Sequence, residues 1–238
     1  MLAGLSLVAI VAAMVASVAG FGIGSVLTPT LSAYYPAKLA VAAVSIPHLA
    51  ATGYRLWLVR AHIDYKILRT FGAMSAGGGL LGAFANLWFS SRILEIVLAV
   101  LLIFVGVAGL FGWTKKMRFQ GGWAWFAGGV SGFLGGLVGN QGGLRAGSMM
   151  GLGVSRDAFV ATATATGIIV DLARMPVYLI GQWEELTNLW PQIWVMVAGV
   201  LAGTYVGMAV LKRIPEQRFL QVVSVLLVGL GAWLLAKA

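Results

Sequence analysis

The sequence has no cysteine and only two histidines, His48 and His62. That excludes disulfides, a thiolate nucleophile, iron–sulfur clusters and cysteine zinc sites. No H-x-x-x-H or H-E-x-x-H pairing exists, so a histidine metal centre does not fit either. Charge is scarce: 10% of residues are charged, against about 25% in a soluble domain. Acids are the scarcest, with Asp+Glu 7 against Lys+Arg 16 and a net charge of +9. The G-x-x-x-x-G-K-[ST] motif is missing, so the chain does not hydrolyse ATP through a P-loop. What fills the 238 residues instead is apolar, 60% of them hydrophobic. A soluble domain with so little charge could not cover its own surface. The composition therefore predicts an all-α, polytopic membrane protein.

Eight apolar stretches, each about long enough to cross ~30 Å of hydrocarbon as a helix, run over Leu2–Tyr34, Leu39–Val59, Ile67–Phe89, Leu94–Trp113, Trp123–Leu152, Ala158–Ile180, Leu189–Leu211 and Phe219–Ala236. The first is too long and lacks the basic start of a signal peptide. Two stretches, Leu2–Tyr34 and Trp123–Leu152, would each measure ~45 Å as one helix. Each carries a glycine cluster near its middle: Gly20, Gly22 and Gly24, then Gly139, Gly142 and Gly143. Such clusters permit a break or reversal, so each stretch reads as helix, break, shorter helix.

These broken segments head two repeats. An offset of about 119 residues places Gly24 on Gly143, Val41 on Val160, Ala42 on Ala161 and Arg55 on Arg174. An offset of about 121 places Gly78 on Gly199, Gly82 on Gly203, Arg92 on Arg213, Ile93 on Ile214 and Glu95 on Glu216. Residues 1–113 form the first transmembrane repeat, 114–122 a basic connection and 123–238 the second repeat. Internal duplication of this kind is a mark of secondary transporters.

The cations sit mostly between apolar runs, which signals topology rather than a nucleic-acid partner. Arg60, Lys66 and Arg69 face Asp64 in one connection, whereas its counterpart holds only Glu184 and Glu185. The next connection reverses the bias: Arg92 and Glu95 balance, while Lys212, Arg213 and Arg218 outweigh Glu216. Positive loops stay cytoplasmic, which predicts two inverted-topology repeats. Each would hold a broken or re-entrant first segment plus three transmembrane helices, with Lys115, Lys116 and Arg118 inside. Trp57, Trp88, Trp113, Trp123, Trp183 and Trp190 lie near stretch ends, as an interfacial belt does.

A helix that starts inside the membrane presents unpaired N–H groups and a partial positive charge. Two such starts meeting near the midplane make an anion site. Donors would come from Gly22, Gly24 and Ser25 in the first half and from Asn140, Gln141, Gly142 and Gly143 in the second. Gly199, Gly203 and Gly207 read as helix packing. Arg55, Arg145 and Arg174 lie within spans, where an arginine costs about 2.5–3.5 kcal/mol and asks for a reason. Asp171 precedes Arg174 by three residues and can pair with it along one helix face. Arg55 has Thr52 in that place and lacks such a partner. Ser45, His48 and Thr164 line the polar face of the helices after the breaks, and hydroxyls can donate to an oxyanion. His48 follows Pro47 and could carry a coupling proton.

In this order the motifs resemble the TauE/SafE sulfite exporters, also called toluene-sulfonate uptake permeases. The resemblance spans nearly the whole chain. It rests on GFGIGS and GFLGGLVGNQGG, on KLAVAAVSIPH and DAFVATATAT, on AGGGLLGA and AGVLAGTY, and on the turns SSRILE and LKRIPE. It implies a multi-pass carrier of the bacterial inner membrane for a small sulfur-containing or carboxylate anion, such as sulfite, a sulfonate or sulfoacetate. Phe21, Ile23, Asn140 and Gln141 dilute the glycine runs, and DLARMPVY places Asp171 and Arg174 inside a helix, which sets the chain apart as a distinct subgroup. The expected function is thus a secondary transporter with the site between two broken helices. It would need no cofactor, use a proton or sodium ion for coupling, and allow a homo-oligomer. A channel built on two inserted half-helices is the alternative, without the N-P-A signature expected of one. An intramembrane enzyme lacks a metal cluster or a clear Ser–His pair.

Overall fold

The computed structural model describes residues 2–19, 22–113, 121–140, 142, 145, 149, 152, 155–210 and 216–237. Among these it is helical, without a strand. The first half holds α1 (Leu2–Ala19), α2 (Ile23–Ser32), α3 (Ala37–Val59), α4 (Ala73–Trp88) and α5 (Ser91–Leu110). The second holds α6 (Gly122–Val138), α7 (Arg156–Gly181), the short α8 (Trp183–Asn188), α9 (Trp190–Val210) and α10 (Glu216–Lys237). The basic residues Lys115, Lys116, Arg118, Lys212 and Arg213 lie outside the described residues, as do Gln141 and Gly143.

Three spans, Ser91–Leu110, Asp157–Gly181 and Trp190–Ala209, are long and apolar enough to cross a membrane. Leu2–Ser17 and Gln221–Lys237 are shorter apolar helices. Helix α3 has 23 residues, or ~34 Å. It is long enough to span but carries Lys38, Ser45, His48, Thr52 and Arg55, the polar load of a helix that lines a site. Trp57, Trp88, Trp113, Trp123 and Trp183 are exposed, and Trp190 stacks on Trp194.

Both expected breaks are present. The first falls at Gly22, whose φ of 143° starts α2. A side chain there would also meet the Val15 side chain at 2.8 Å. The second falls at Gly139, which ends α6 in the left-handed conformation with φ 74°. Glycine accepts both conformations without the Cβ penalty. Beyond the second break, Gly142, Arg145 and Met149 are helical.

The helices pair across the halves. Among the extensive pairings are α1 with α9, α4 with α6, α3 with α7 and α5 with α10. Exchanging the two halves converts the first pair into the second and leaves the other two unchanged. Small residues make this packing close, as expected where lipid removes the hydrophobic drive between helices. Gly78 and Gly82 abut the α6 backbone at Gly129 and Phe133, and Gly132 and Gly136 abut Ser75 and Gly79 in return. Gly199 and Gly203 likewise lie against the α1 backbone at Ser6 and Ile10.

Candidate anion site

The two breaks meet. Gly24 lies against the Gly139 carbonyl oxygen so closely that a Cβ would collide with it. One residue on, Ser25 Oγ donates to Asn140 Oδ1 at 3.0 Å. The first intrahelical bond of α2 runs from the Val26 amide to the Gly22 carbonyl at 3.0 Å. The amides of Ile23, Gly24 and Ser25 therefore have no acceptor within the helix and give this end its positive character.

A cavity opens at this junction. It is lined by segments of α1, α2, α3, α7 and both breaks. Two arginines reach it. Arg55, buried on α3, donates from Nη1 to the Ala16 carbonyl at 2.5 Å, and its Nε has no partner among the described residues. Arg145, equally buried, donates from Nη1 to the Ala163 carbonyl at 3.1 Å, while its Nε and Nη2 have no such partner. Asn140 Nδ2 is also buried and unpaired. Among the described lining residues there is no carboxylate. The site thus combines two uncompensated guanidiniums, spare N–H donors and a helix N-terminus, a set that suits an oxyanion.

Behind the cavity wall lies a closed ion-pair network. Asp171, fully buried, accepts from Arg174 Nε at 3.0 Å and Nη2 at 2.8 Å through Oδ1. Its Oδ2 lies 2.6 Å from His48 Nδ1. Arg174 Nη1 donates to the Gly135 carbonyl, and the Tyr178 hydroxyl donates to that of Gly136. Pro47 precedes His48 within α3 and, lacking an N–H, leaves one carbonyl of the helix without its usual donor.

Of the candidates named from the sequence, Gly22, Gly24, Ser25, His48, Arg55, Asn140, Gly142, Arg145 and Thr164 line the cavity. Ser45, Asp171 and Arg174 do not. Ser45 turns its hydroxyl back to the Ala42 carbonyl at 2.6 Å, the common habit of a helical serine. Asp171 and Arg174 pair with each other behind the cavity wall. Thr164 also bonds its own helix, at the Val160 carbonyl. Sequence reasoning passed over Thr52, Ala16, Gly139 and Ala163 as lining residues. For Thr52 a signal existed, since it occupies the place in the first repeat that Asp171 holds in the second.

A family model described as "Sulfite exporter TauE/SafE" matches residues 5–234. No curated protein and no solved structure matches the chain.

Proposed function

We infer that this chain, which belongs to the sulfite exporter TauE/SafE family, is a multi-pass membrane transporter that carries a small sulfur-containing oxyanion through the junction of its two broken helices. The observation that carries the reading is the pair of buried guanidiniums with unpaired N–H groups at a cavity whose described lining holds no carboxylate. Arg174 is cancelled by Asp171, so the site presents two positive charges and neutral donors. Sulfite, thiosulfate and sulfonates all present several acceptor oxygens to such a set.

Two inverted repeats with alternating access are part of this proposal. Pairing of the helices that survives exchange of the halves supports it, and so do the arginine contacts. Arg55 bonds the carbonyl of Ala16, and Arg174 bonds that of Gly135. Adding 119 to 55 and to 16 gives 174 and 135. Related residues thus make related contacts, as repeats around a shared site do in secondary transporters. The bacterial inner membrane as location, and transport in place of catalysis, belong to the same reading.

The test is a thermal-stability screen of detergent-purified protein against sulfite, thiosulfate, sulfate, methanesulfonate, sulfoacetate and short carboxylates. A ligand at 100 times its Kd adds about 2.7 kcal/mol. Stabilisation by sulfur oxyanions is expected, and no stabilisation by any of them refutes the assignment. Counterflow in proteoliposomes then separates carrier from pore, because only a carrier exchanges labelled for unlabelled anion against a gradient.

A further inference from the structure

We propose that His48 is the site that binds the transported proton, so that one proton crosses with the anion. The proposal rests on the anion-transport reading and adds the coupling ion to it. His48 is placed to do this by two contacts. Its Nδ1 lies 2.6 Å from Asp171 Oδ2, and the ring itself lines the anion cavity, with 15% of the side chain exposed.

Asp171 fixes the proton-binding atom. Its other oxygen accepts from Arg174 Nε and lies 2.8 Å from Nη2, so the carboxylate meets His48 as an acceptor. The His48 Nδ1 must therefore be the N–H donor to it, as in other carboxylate-oriented imidazoles. That leaves Nε2 with the lone pair of the neutral ring. A proton from water adds to that lone pair, giving an imidazolium already held by Asp171, and leaves the same atom on the far side. No other bond changes.

Among the described residues, the cavity lining holds no second histidine and no carboxylate. From α7 His48 meets Asp171 and, through it, Arg174. Arg55 on its own helix and Arg145 beyond the second break share its cavity. All three arginines remain charged. The segments α2, Leu2–Ala19 and α6 carry no acid, histidine or lysine. The titratable groups of the other neighbours are peripheral: Tyr205 on α9 and Glu184 and Glu185 at α8 are exposed, and Arg92 and Glu95 lie at the start of α5.

Coupling then follows from charge. A neutral His48 leaves two positive charges on the cavity, and a protonated one makes three. An anion bound there favours the third, and by linkage the proton favours the anion to the same degree. Across the range where His48 changes charge, anion affinity should fall by up to tenfold per pH unit as pH rises.

The test exploits the presence of only two histidines. The protein labelled with 15N-histidine, as wild type and as His62→Gln, gives two imidazole signals and then one. His62 is exposed outside the membrane-spanning helices, so the remaining signal is His48. Spectra between pH 5 and 8, without anion and with saturating sulfite or sulfate, read the charge of the ring directly. His48 is expected to remain an imidazolium to higher pH with the anion bound. An anion that stabilises the protein while leaving the His48 titration unchanged overturns the proposal and spares the transport reading. If none of the screened sulfur oxyanions stabilises the protein, the transport reading fails and this proposal falls with it. In proteoliposomes, His48→Gln keeps a donor toward Asp171 but no titrating nitrogen. With counterflow of each protein measured beside it, the accumulation driven by an inward proton gradient should fall at least tenfold relative to that counterflow. Accumulation at the wild-type level would equally overturn the proposal.

Discussion

The variants Arg145→Gln and Arg174→Gln are expected to move stability and binding in opposite senses, and the structure sets the size of both effects. Arg145 makes one hydrogen bond to the protein, to the Ala163 carbonyl. Its Nε and Nη2 are buried without a described partner. A hydrogen bond to a charged group contributes about 1.5–3 kcal/mol. Two such donors to a bound anion, less the amide that glutamine retains, come to about 3 kcal/mol, or a Kd weakened about 100-fold. In the empty protein the same change removes a buried charge with no direct ion-pair partner among the described residues, whose desolvation costs several kcal/mol, against a single lost charged bond of about 1.5–3 kcal/mol. Arg145→Gln should therefore unfold no more easily than the wild type. Arg174→Gln does the reverse, because it strips Asp171, 0% exposed, of its main partner. Removing one member of a buried pair costs about 3–5 kcal/mol. Calorimetric titration with sulfite reads the first effect, and denaturant unfolding in detergent reads the second. Arg145→Lys should fall between, since it keeps the charge and loses the fork. The reasoning is refuted if Arg145→Gln binds sulfite as the wild type does, or if it loses as much stability as Arg174→Gln.

Asp171→Asn should cost a similar 3–5 kcal/mol by leaving Arg174 unpaired; a loss under about 1 kcal/mol in denaturant unfolding contradicts the network drawn around it. Gly24→Ala should abolish transport in proteoliposomes, because the methyl collides with the Gly139 carbonyl and forces the breaks apart. Gly53→Ala, on α3 with nothing within 4 Å of the added carbon, serves as its control and should transport normally. Gly203→Val drives a branched side chain into the α1 backbone at Ile10; overpacking there should exceed the usual 1–3 kcal/mol and show as aggregated protein on size exclusion.

Much of the fold was legible because hydrocarbon demands long apolar runs and glycine marks where they stop. The stretch Leu94–Trp113 became Ser91–Leu110, and Ala158–Ile180 became Arg156–Gly181, shifts of one to three residues that reflect capping by Ser90 and Ser155. The i,i+3 spacing of Asp171 and Arg174 was enough to predict their pairing. It was not enough to say that pairing would withdraw Arg174 from the cavity, because that depends on the Gly135 carbonyl, 39 residues away in sequence. The His48–Asp171 contact spans 123 residues and has no local signature at all. Nor does the difference between Arg145 and Arg174, since both are arginines in apolar context and only the partners distinguish them.

On the proposed duplication, correspondence between the halves accounts for the frame of the site, and the departures from it account for its chemistry. At the offset of 119, Arg55 and Arg174 correspond and make corresponding bonds to Ala16 and Gly135. Three other positions break the rule. Thr52 stands where the second repeat has Asp171, so only Arg174 is neutralised and Arg55 stays available. Val26, buried in the apolar core, stands where the second repeat has Arg145, so one added cation enters from one side only. His48 stands where the second repeat has Gly167, and the missing side chain there matters, because a carbon on Gly167 would lie 3.0 Å from Arg145 Nη1. Glycine at position 167 leaves room for the Arg145 guanidinium, and His48 in the first half reaches across to Asp171 in the second. A strictly symmetric site would carry two Arg–Asp pairs and no net charge. The three differences together place two arginines and one imidazole at a cavity whose described lining holds no carboxylate. Gly167→Ala is the sharp check: displacing Arg145 by a few tenths of an ångström should weaken sulfite binding about tenfold, roughly the 1.4 kcal/mol of one impaired charge-assisted bond. Unchanged affinity in that variant would show that the guanidinium does not depend on its glycine seat.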